Sequence, residues 1–145
     1  MNLYLDTSAL FKLYVDEAGS DAVHAAVAAA EAIAVSRISW AEAMSALARR
    51  GREVPADMDA LDQAKEALRT DWPRFLVVDV NQLVVEQAGE FADTFALRGY
   101  DSVQLASAYL MQQRVQQPVT FACFDKRLSK AAKILGLVVL AEVLE

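Results

Sequence analysis

The sequence is short of the residues on which several classes of protein depend. It has one cysteine, Cys123, and one histidine, His24, among 145 residues. One cysteine excludes an intramolecular disulfide, which is compatible with the reducing cytoplasm where we expect the protein to act. So few nitrogen and sulfur ligands disfavour a zinc site. We expect no signal peptide, because Asp6 interrupts the first apolar residues, and no membrane span, because Glu31 and Glu142 break the longest apolar runs.

Positive charge is also scarce. The chain has 14 lysines and arginines against 20 aspartates and glutamates, which gives a net charge of −6. Taken alone, this charge argues against a polyanionic partner such as nucleic acid. One route stays open, because acids clustered in one pocket can hold cations that reverse the local sign.

The composition otherwise favours a single folded domain. Hydrophobic residues make up 55% of the sequence and the mean hydropathy is +0.20. A chain of this length and composition can bury a substantial core, so we predict one domain over residues 1–145. The apolar excess is also compatible with a surface kept for a partner.

Short apolar segments alternate with segments of helical periodicity along the chain. Val23, Ala26, Val27 and Ala30, for example, recur at the spacing of one helical face. Such alternation predicts an α/β fold with a parallel sheet and helices on both of its faces. The segments predicted to be strands are residues 3–5, 32–36, 75–80, 119–125 and 137–140.

Four carboxylates occupy equivalent places in this pattern. Asp6 and Asp125 end predicted strands, and Glu42 and Asp101 lie in the first turns of predicted helices. A parallel sheet brings the carboxyl ends of its strands, and the starts of the helices that follow, to one edge. The four acids are therefore predicted to converge, although they are far apart in sequence.

Each acid also has a simpler interpretation as a helix cap. Asp6 can cap the helix that follows the first strand. Ser39 and Glu42 have the Ser-x-x-Glu spacing of a capping box, and Gly51 is predicted to end the helix that they begin.

Convergence of the four acids would have an electrostatic cost. Two unit charges about 5 Å apart repel by roughly 3 kcal/mol at an effective dielectric constant near 20. Either some of the acids are protonated, or a hard divalent cation lies between them, and oxygen ligands favour Mg²⁺ or Mn²⁺. Such a cation activates water and polarises a phosphoryl oxygen, which points to phosphodiester chemistry.

Four short motifs, taken together, resemble a known family. They are Leu5-Asp6-Thr7-Ser8-Ala9-Leu10, Ser39-Trp40-Ala41-Glu42, residues 98–108 (RGYDSVQLASA) and Phe124-Asp125-Lys126-Arg127-Leu128. In this order and spacing the chain resembles PIN-domain proteins, in particular the toxin ribonucleases of VapBC-type toxin–antitoxin pairs. The resemblance covers essentially the whole chain. It implies a three-layer α/β/α fold with a central, mostly parallel sheet.

The resemblance also implies an activity and a site. The expected activity is that of a Mg²⁺- or Mn²⁺-dependent endoribonuclease. Its metal-binding catalytic acids would be Asp6, Glu42, Asp101 and Asp125. The family usually has a hydroxyl residue two positions before the last aspartate, where this chain has Cys123. The implied partners are an RNA substrate, a small VapB-like antitoxin that covers the cleft, and a second copy in a homodimer; the helices of residues 20–50 are candidates for the antitoxin groove.

Other side chains near the motifs have two interpretations each. Thr7 and Ser8 either orient the carboxylates or are ordinary helix-start residues. Arg98, Lys126 and Arg127 either contact RNA or are exposed helix charges. No aromatic signature of a platform that stacks single-stranded bases is visible.

Two other functions fit part of the pattern. A phosphatase with an aspartyl nucleophile would also place Asp6 after the first strand, but it needs a second acid two residues on, where this chain has Ser8. A catalytically inactive PIN-like binding module would keep the fold and bind a partner without chemistry.

Overall fold

The computed structural model describes residues 1–140, so residues 141–145 of the predicted domain lie outside the described part. Residues 1–140 form five β-strands, seven α-helices and two short 3₁₀ turns. In chain order the elements are β1 Asn2–Leu5, α1 Thr7–Tyr14, α2 Ser20–Ala29, β2 Ala32–Ser36, α3 Ser39–Glu53, a 3₁₀ turn Pro55–Asp57, α4 Met58–Asp71, a 3₁₀ turn Trp72–Arg74, β3 Leu76–Val78, α5 Gln82–Phe95, α6 Gly99–Val115, β4 Val119–Ala122, α7 Lys126–Ile134 and β5 Val138–Val139.

The strands form one parallel sheet in the order β3-β2-β1-β4-β5. β1 is the central strand and pairs with β2 on one side and β4 on the other. Leu3, Tyr4 and Leu5 are inaccessible to solvent, as expected for a strand covered on both faces. The predicted buried first strand and parallel sheet are confirmed.

The side chains of β1 alternate between two helical layers. Leu3 and Leu5 pack in a core built with α1, α2, α3 and α4. Tyr4 points to the opposite face, where it stacks on Phe121 and joins the core built with α5, α6 and α7. The sheet is thus covered by helices on both faces, which confirms the three-layer α/β/α architecture.

The strand order changes direction beside β1. The chain proceeds from β1 through β2 to β3 on one side, and β4 and β5 lie on the other. Ligands of open α/β sheets bind in the crevice at such a switch point, beyond the carboxyl ends of the strands. The backbone N–H of Asp6 bonds to the carbonyl of Ala122, 3.1 Å away, and so continues the pairing of β1 with β4 to the rim of this crevice.

Helix α3 differs from the sequence-based prediction at both ends. The residue before its first turn is Ile38, and no side chain caps it, so Ser39 is the first helical residue rather than the cap. Gly51 does not end the helix, which continues to Glu53. Gly51 is instead buried under the sulfur of Met58, where a Cβ atom would lie 2.7 Å from that sulfur. Gly51 thus packs closely against the side chain of Met58, which begins α4 seven residues further along the chain.

None of the helices within residues 1–140 has both the length and the apolar character needed to cross a bilayer.

Candidate active site

All four predicted acids line one pocket of about 220 Å³ at the carboxyl edge of the sheet. Asp6 connects β1 to α1, Glu42 and Asp101 lie in the first turns of α3 and α6, and Asp125 precedes α7. The structure therefore brings together side chains that are up to 119 residues apart, because a parallel sheet collects them at one edge. The other lining residues are Thr7, Ser8, Arg98, Tyr100, Gln104 and Phe124.

Asp6 is the most deeply buried of the four acids, with 6% of its surface exposed. One carboxylate oxygen, Oδ1, accepts hydrogen bonds from the Ser8 hydroxyl at 2.7 Å and from the Ala9 backbone N–H at 2.9 Å. Burial raises the pKa of Asp6 to about 6, against the effect of these two bonds, and the charges of Asp101 and Glu42 raise it further. Asp6 is thus both a helix cap and a member of a coupled carboxylate cluster.

Glu42 does not form the predicted capping box. Its Oε1 accepts a hydrogen bond from Thr7 Oγ1 at 2.8 Å and lies 3.4 Å from Gln104 Nε2. The Ser39 hydroxyl lies 3.1 Å from both the Thr7 hydroxyl and Gln104 Nε2. The capping-box prediction is wrong because both side chains bond to other side chains and not to the backbone at the start of α3.

The other two acids have different partners. Asp101 pairs with Arg98, with 3.3 Å between Oδ2 and Nε, but the Arg98 side chain is 83% exposed, so the pair contributes little to stability. Asp125 is exposed and caps α7 by accepting from the Leu128 N–H at 2.9 Å. The interpretation as helix caps is correct for Asp6 and Asp125. Each accepts its capping hydrogen bond through the Oδ1 atom.

The acids of the pocket match a divalent metal ion in ligand type but not in arrangement. As the side chains stand, no group of three or more histidine, cysteine, aspartate or glutamate residues within residues 1–140 is arranged to hold one. The ligand chemistry nevertheless fits Mg²⁺ or Mn²⁺, because the acidic liners offer only carboxylate oxygen. A metal ion bound by three of these acids would need side-chain directions that differ from those in this structure.

Cys123 is not part of this donor set. Its thiol is buried, lies 3.1 Å from the Ser129 hydroxyl, and does not line the pocket. Burial raises the pKa of Cys123 to about 12, so the thiol stays protonated. The single histidine, His24, is exposed on α2, away from the pocket.

The three predicted RNA-contacting cations are separated by the fold. Arg98 lines the pocket, whereas Lys126 and Arg127 are exposed on the first turn of α7 and do not line it. Arg127 donates a hydrogen bond to the carbonyl of Ala96, 3.1 Å away. Of the three cations, only Arg98 therefore lines the pocket of the four acids.

Three residues that line the pocket, Tyr100, Gln104 and Phe124, have no role in the prediction from the sequence. Gln104 is 3% exposed and contacts both Thr7 and Glu42. It follows Asp101 by three residues, so the helical spacing places both on one face of α6 and would have indicated it. Tyr100 and Phe124, each next to an acid in sequence, are 65% and 38% exposed.

The ring of Phe124 is held in place at the rim of the pocket. The ammonium of Lys12 lies 4.8 Å from its ring centroid. Gly19, at φ +96°, also packs against the ring, and a Cβ atom there would lie 2.6 Å from it. A glycine at this position thus allows both the left-handed backbone and the close approach of the ring.

The model of the PIN domain family matches residues 3–134. The chain is 33% identical over 135 residues to Ribonuclease VapC45 of Mycobacterium tuberculosis, which covers 92% of this chain and 91% of that protein.

Two solved structures share the fold at lower sequence identity. M. tuberculosis VapC20, a sarcin-ricin loop cleaving toxin, superposes with a TM-score of 0.67 at 20% identity, over 94% of this chain and 97% of that one. VapBC2 of Rickettsia felis, bound to a DNA fragment from its promoter, gives a TM-score of 0.65 at 15% identity, over 96% and 97% of the two chains. With the family model and the curated relative matching most of its length, the chain belongs to the PIN-domain family.

Proposed function

We propose that this protein is a metal-dependent endoribonuclease that acts as the toxin of a toxin–antitoxin pair. The observation that carries the proposal is the convergence of Asp6, Glu42, Asp101 and Asp125 in one pocket at the switch point of the sheet. The similarity to Ribonuclease VapC45 over 92% of the chain supports the same activity.

The four carboxylates would hold Mg²⁺ or Mn²⁺. When bound, such an ion supplies a Lewis acid for the phosphoryl oxygen and lowers the pKa of water. The chain itself orients the ligands, because Ser8 and the Ala9 N–H fix one oxygen of Asp6, and Thr7 fixes Glu42.

We propose that Arg98, whose exposed guanidinium pairs with Asp101 in the structure, also contacts the substrate. A cation that takes over the Asp101 carboxylate would release the guanidinium to contact a phosphate of the substrate, for which its fork of donors is suited. The acidic protein would then present two positive groups to RNA, the metal and Arg98.

We propose that the substrate is single-stranded RNA, because two aromatic rings are exposed at the carboxylate pocket. Tyr100 and Phe124 both line the carboxylate pocket and expose their rings. Bases of single strands and loops stack on such rings, whereas the bases of a duplex are stacked on each other and are not available. The rings would hold nucleotides next to the scissile phosphate.

We propose a small protein antitoxin and a second copy of this chain as partners. The solved relative VapBC2 supports the first proposal. A groove of about 600 Å³ between α1 and α4, lined by Leu13, Leu61 and Ala64 among others, offers room for an antitoxin segment. Of the predicted range, residues 20–50, Arg50 lines this groove. An RNA substrate is consistent with action in the cytoplasm.

Without a metal ion, the ionised carboxylate of Asp6 should lower the free energy of unfolding. The pKa of Asp6 is about 6 in the folded protein and 3.8 ordinarily. Between these values the folded state binds more protons than the unfolded state, so the free energy of unfolding falls as pH rises through this window. A shift of about two units corresponds to about 3 kcal/mol, which ionised Asp6 costs the metal-free protein at pH 7.

Metal-dependent cleavage of RNA is the first expected outcome. Wild-type protein should cut a single-stranded RNA with Mg²⁺ or Mn²⁺ and stop with EDTA. Asp101→Asn should lower kcat/KM by about 100-fold or more, since it removes a charged ligand of an ion that supplies several kcal/mol. Asp93→Asn, an exposed aspartate of α5, is the matched control and should retain full activity.

Two results would contradict this prediction. Cleavage that is equal in Asp101→Asn or indifferent to EDTA would exclude the proposed site. Hydrolysis of a small phosphomonoester without RNA cleavage would favour a phosphatase, and no activity on either would favour a binding module.

Metal binding should also stabilise the fold. Mg²⁺ that binds only the folded state at 100 times its Kd adds about 2.7 kcal/mol to the free energy of unfolding. Thermal unfolding followed by circular dichroism should show a rise in Tm with MgCl₂ that NaCl of equal ionic strength does not produce. Asp101→Asn should lose most of the rise. An unchanged Tm at saturating Mg²⁺ would argue against a shared carboxylate site.

Neutralising Asp6 should stabilise the metal-free protein. Asp6→Asn keeps an oxygen to accept from the Ala9 N–H but has no charge to bury. In EDTA at pH 7 we expect it to raise the free energy of unfolding by up to about 3 kcal/mol and to flatten the decline between pH 4 and 6. Urea unfolding across this range measures both, with Asp93→Asn as control. Parallel pH profiles for Asp6→Asn and wild type would refute the assigned pKa.

Removing the ring of Tyr100 should weaken substrate binding. Base stacking on an aromatic ring is worth about 1–3 kcal/mol, so Tyr100→Ala should raise the KM for a single-stranded RNA by about tenfold, while Tyr100→Phe stays near wild type. Leu83→Ala, which removes another exposed apolar side chain, should leave KM unchanged. A KM that does not respond to Tyr100→Ala would remove the ring from the substrate site.

A further inference from the structure

Glu42 is held differently from Asp6 and Asp125, the two acids of the pocket that cap helices. Asp6 and Asp125 each accept a hydrogen bond from the backbone of the helix that they cap, so their direction is set by the main chain. Glu42 has only side-chain partners within residues 1–140, namely Thr7 and Gln104. Its direction therefore depends on how those two side chains are themselves fixed.

We propose that Gln104, fixed by Tyr4, is a positioning residue that sets the direction of the Glu42 carboxylate. The inference rests on the proposed function of the pocket, because it assigns Gln104 a role in holding one of its four acids.

The Gln104 amide has a defined orientation. Nε2 lies 3.1 Å from both Thr7 Oγ1 and Ser39 Oγ and 3.4 Å from Glu42 Oε1. A carboxylate can only accept, so the group that faces Glu42 must be the NH₂ of Gln104. The amide oxygen then faces the opposite side of the residue.

Tyr4 fixes that opposite side. Its hydroxyl lies 2.7 Å from Gln104 Oε1, which can only accept, so Tyr4 is the donor. Tyr4 belongs to the central strand, is fully buried and stacks on Phe121 with ring centroids 5.7 Å apart. Burial raises its pKa far above the ordinary value, so the phenol keeps the proton that it donates.

The hydrogen bonds of this network run in one direction, from the buried Tyr4 hydroxyl towards the Glu42 carboxylate. Thr7 donates its only hydroxyl proton to Glu42, so in its contact with Ser39 it must accept. Gln104 Nε2 donates to both of these hydroxyls, those of Thr7 and Ser39. A reversed amide would place its oxygen against the carboxylate and leave Tyr4 without an acceptor in Gln104, so the network tolerates one arrangement.

This network also joins the two helical layers. Gln104 is on α6, which packs on one face of the sheet, and Glu42 is on α3, which packs on the other. Thr7 and Tyr4 lie at the two ends of the turn that carries Asp6. Gln104 thus sets the distance across the pocket as well as the direction of one acid.

Three substitutions separate these roles. Gln104→Met keeps the length of the side chain and removes the amide, Gln104→Glu keeps the shape and removes the donor, and Tyr4→Phe removes only the hydroxyl that fixes the amide. Gln112→Met is the matched control, because Gln112 is an amide of the same helix that bonds to the backbone of Val119 and Gly136, away from the pocket.

We expect Gln104→Met to lower kcat on single-stranded RNA by about 10- to 100-fold and to weaken Mn²⁺ binding, measured by isothermal titration, by a similar factor. KM for RNA should change less than about threefold, since Gln104 is buried beneath the carboxylates. Gln104→Glu should be at least as impaired, and Tyr4→Phe should change kcat in the same direction by less. Gln112→Met should retain wild-type kcat and Mn²⁺ affinity, even where its Tm falls.

A double-mutant cycle tests whether Gln104 acts through Glu42. In the Glu42→Gln background, Gln104→Met should cause no further loss of kcat or Mn²⁺ affinity. Losses that multiply would show that Gln104 acts independently and would overturn the proposal.

The crystal structure of Gln104→Met decides the matter without activity. A Glu42 carboxylate that keeps its wild-type position would overturn the proposal, and a displaced one would support it. If wild type cuts no RNA, the proposed function fails, but this structural comparison still tests the positioning role. If Gln104→Met does not fold, Tyr4→Phe takes its place in the same comparison.

Discussion

The pairing of β1 with β4 is the contact on which the pocket depends. It aligns Asn2–Leu5 with Val119–Ala122 and extends by one more hydrogen bond, from Asp6 to Ala122. Because the strand order changes direction here, the turns after both strands open into one crevice, and the helices from the two faces of the sheet begin at its rim. Like charges are thereby forced together, and a rigid, buried strand is what can hold Asp6 in place against their repulsion.

The fold stabilises this arrangement in two ways. Backbone N–H groups at helix starts hold Asp6 and Asp125, and a hydrogen-bonded set of side chains holds Glu42. A capping bond engages only one carboxylate oxygen, so a cap and a metal ligand are compatible roles for the same aspartate. Burial is the main cause of the raised pKa of Asp6, and the charges of Asp101 and Glu42 add to it; a divalent cation would offset both by favouring the ionised carboxylate.

The acidic charge of the protein is consistent with a nucleic-acid substrate only through that pocket. Net charge governs long-range attraction, and at −6 it opposes RNA binding. A cation among the carboxylates, together with Arg98 at the rim, would reverse the sign locally. In the proposed complex, the exposed rings of Tyr100 and Phe124 would add contacts that do not depend on charge.

The sequence by itself determined the α/β/α class, β1 and β2 to within one residue, and the convergence of the four acids. These features follow from local periodicity and from the rule that parallel strands end at one edge. The capping bonds of Asp6 and Asp125 are local and could be predicted, whereas tertiary structure alone decided the partners of Glu42. Glu42 accepts from Thr7 and does not cap α3, Arg127 donates to the carbonyl of Ala96, and Gly51 lies inside a helix against Met58. Gln104 bonds to Thr7 and Tyr4, which lie 97 and 100 residues away in the chain, and no local pattern encodes a hydrogen bond over such a separation.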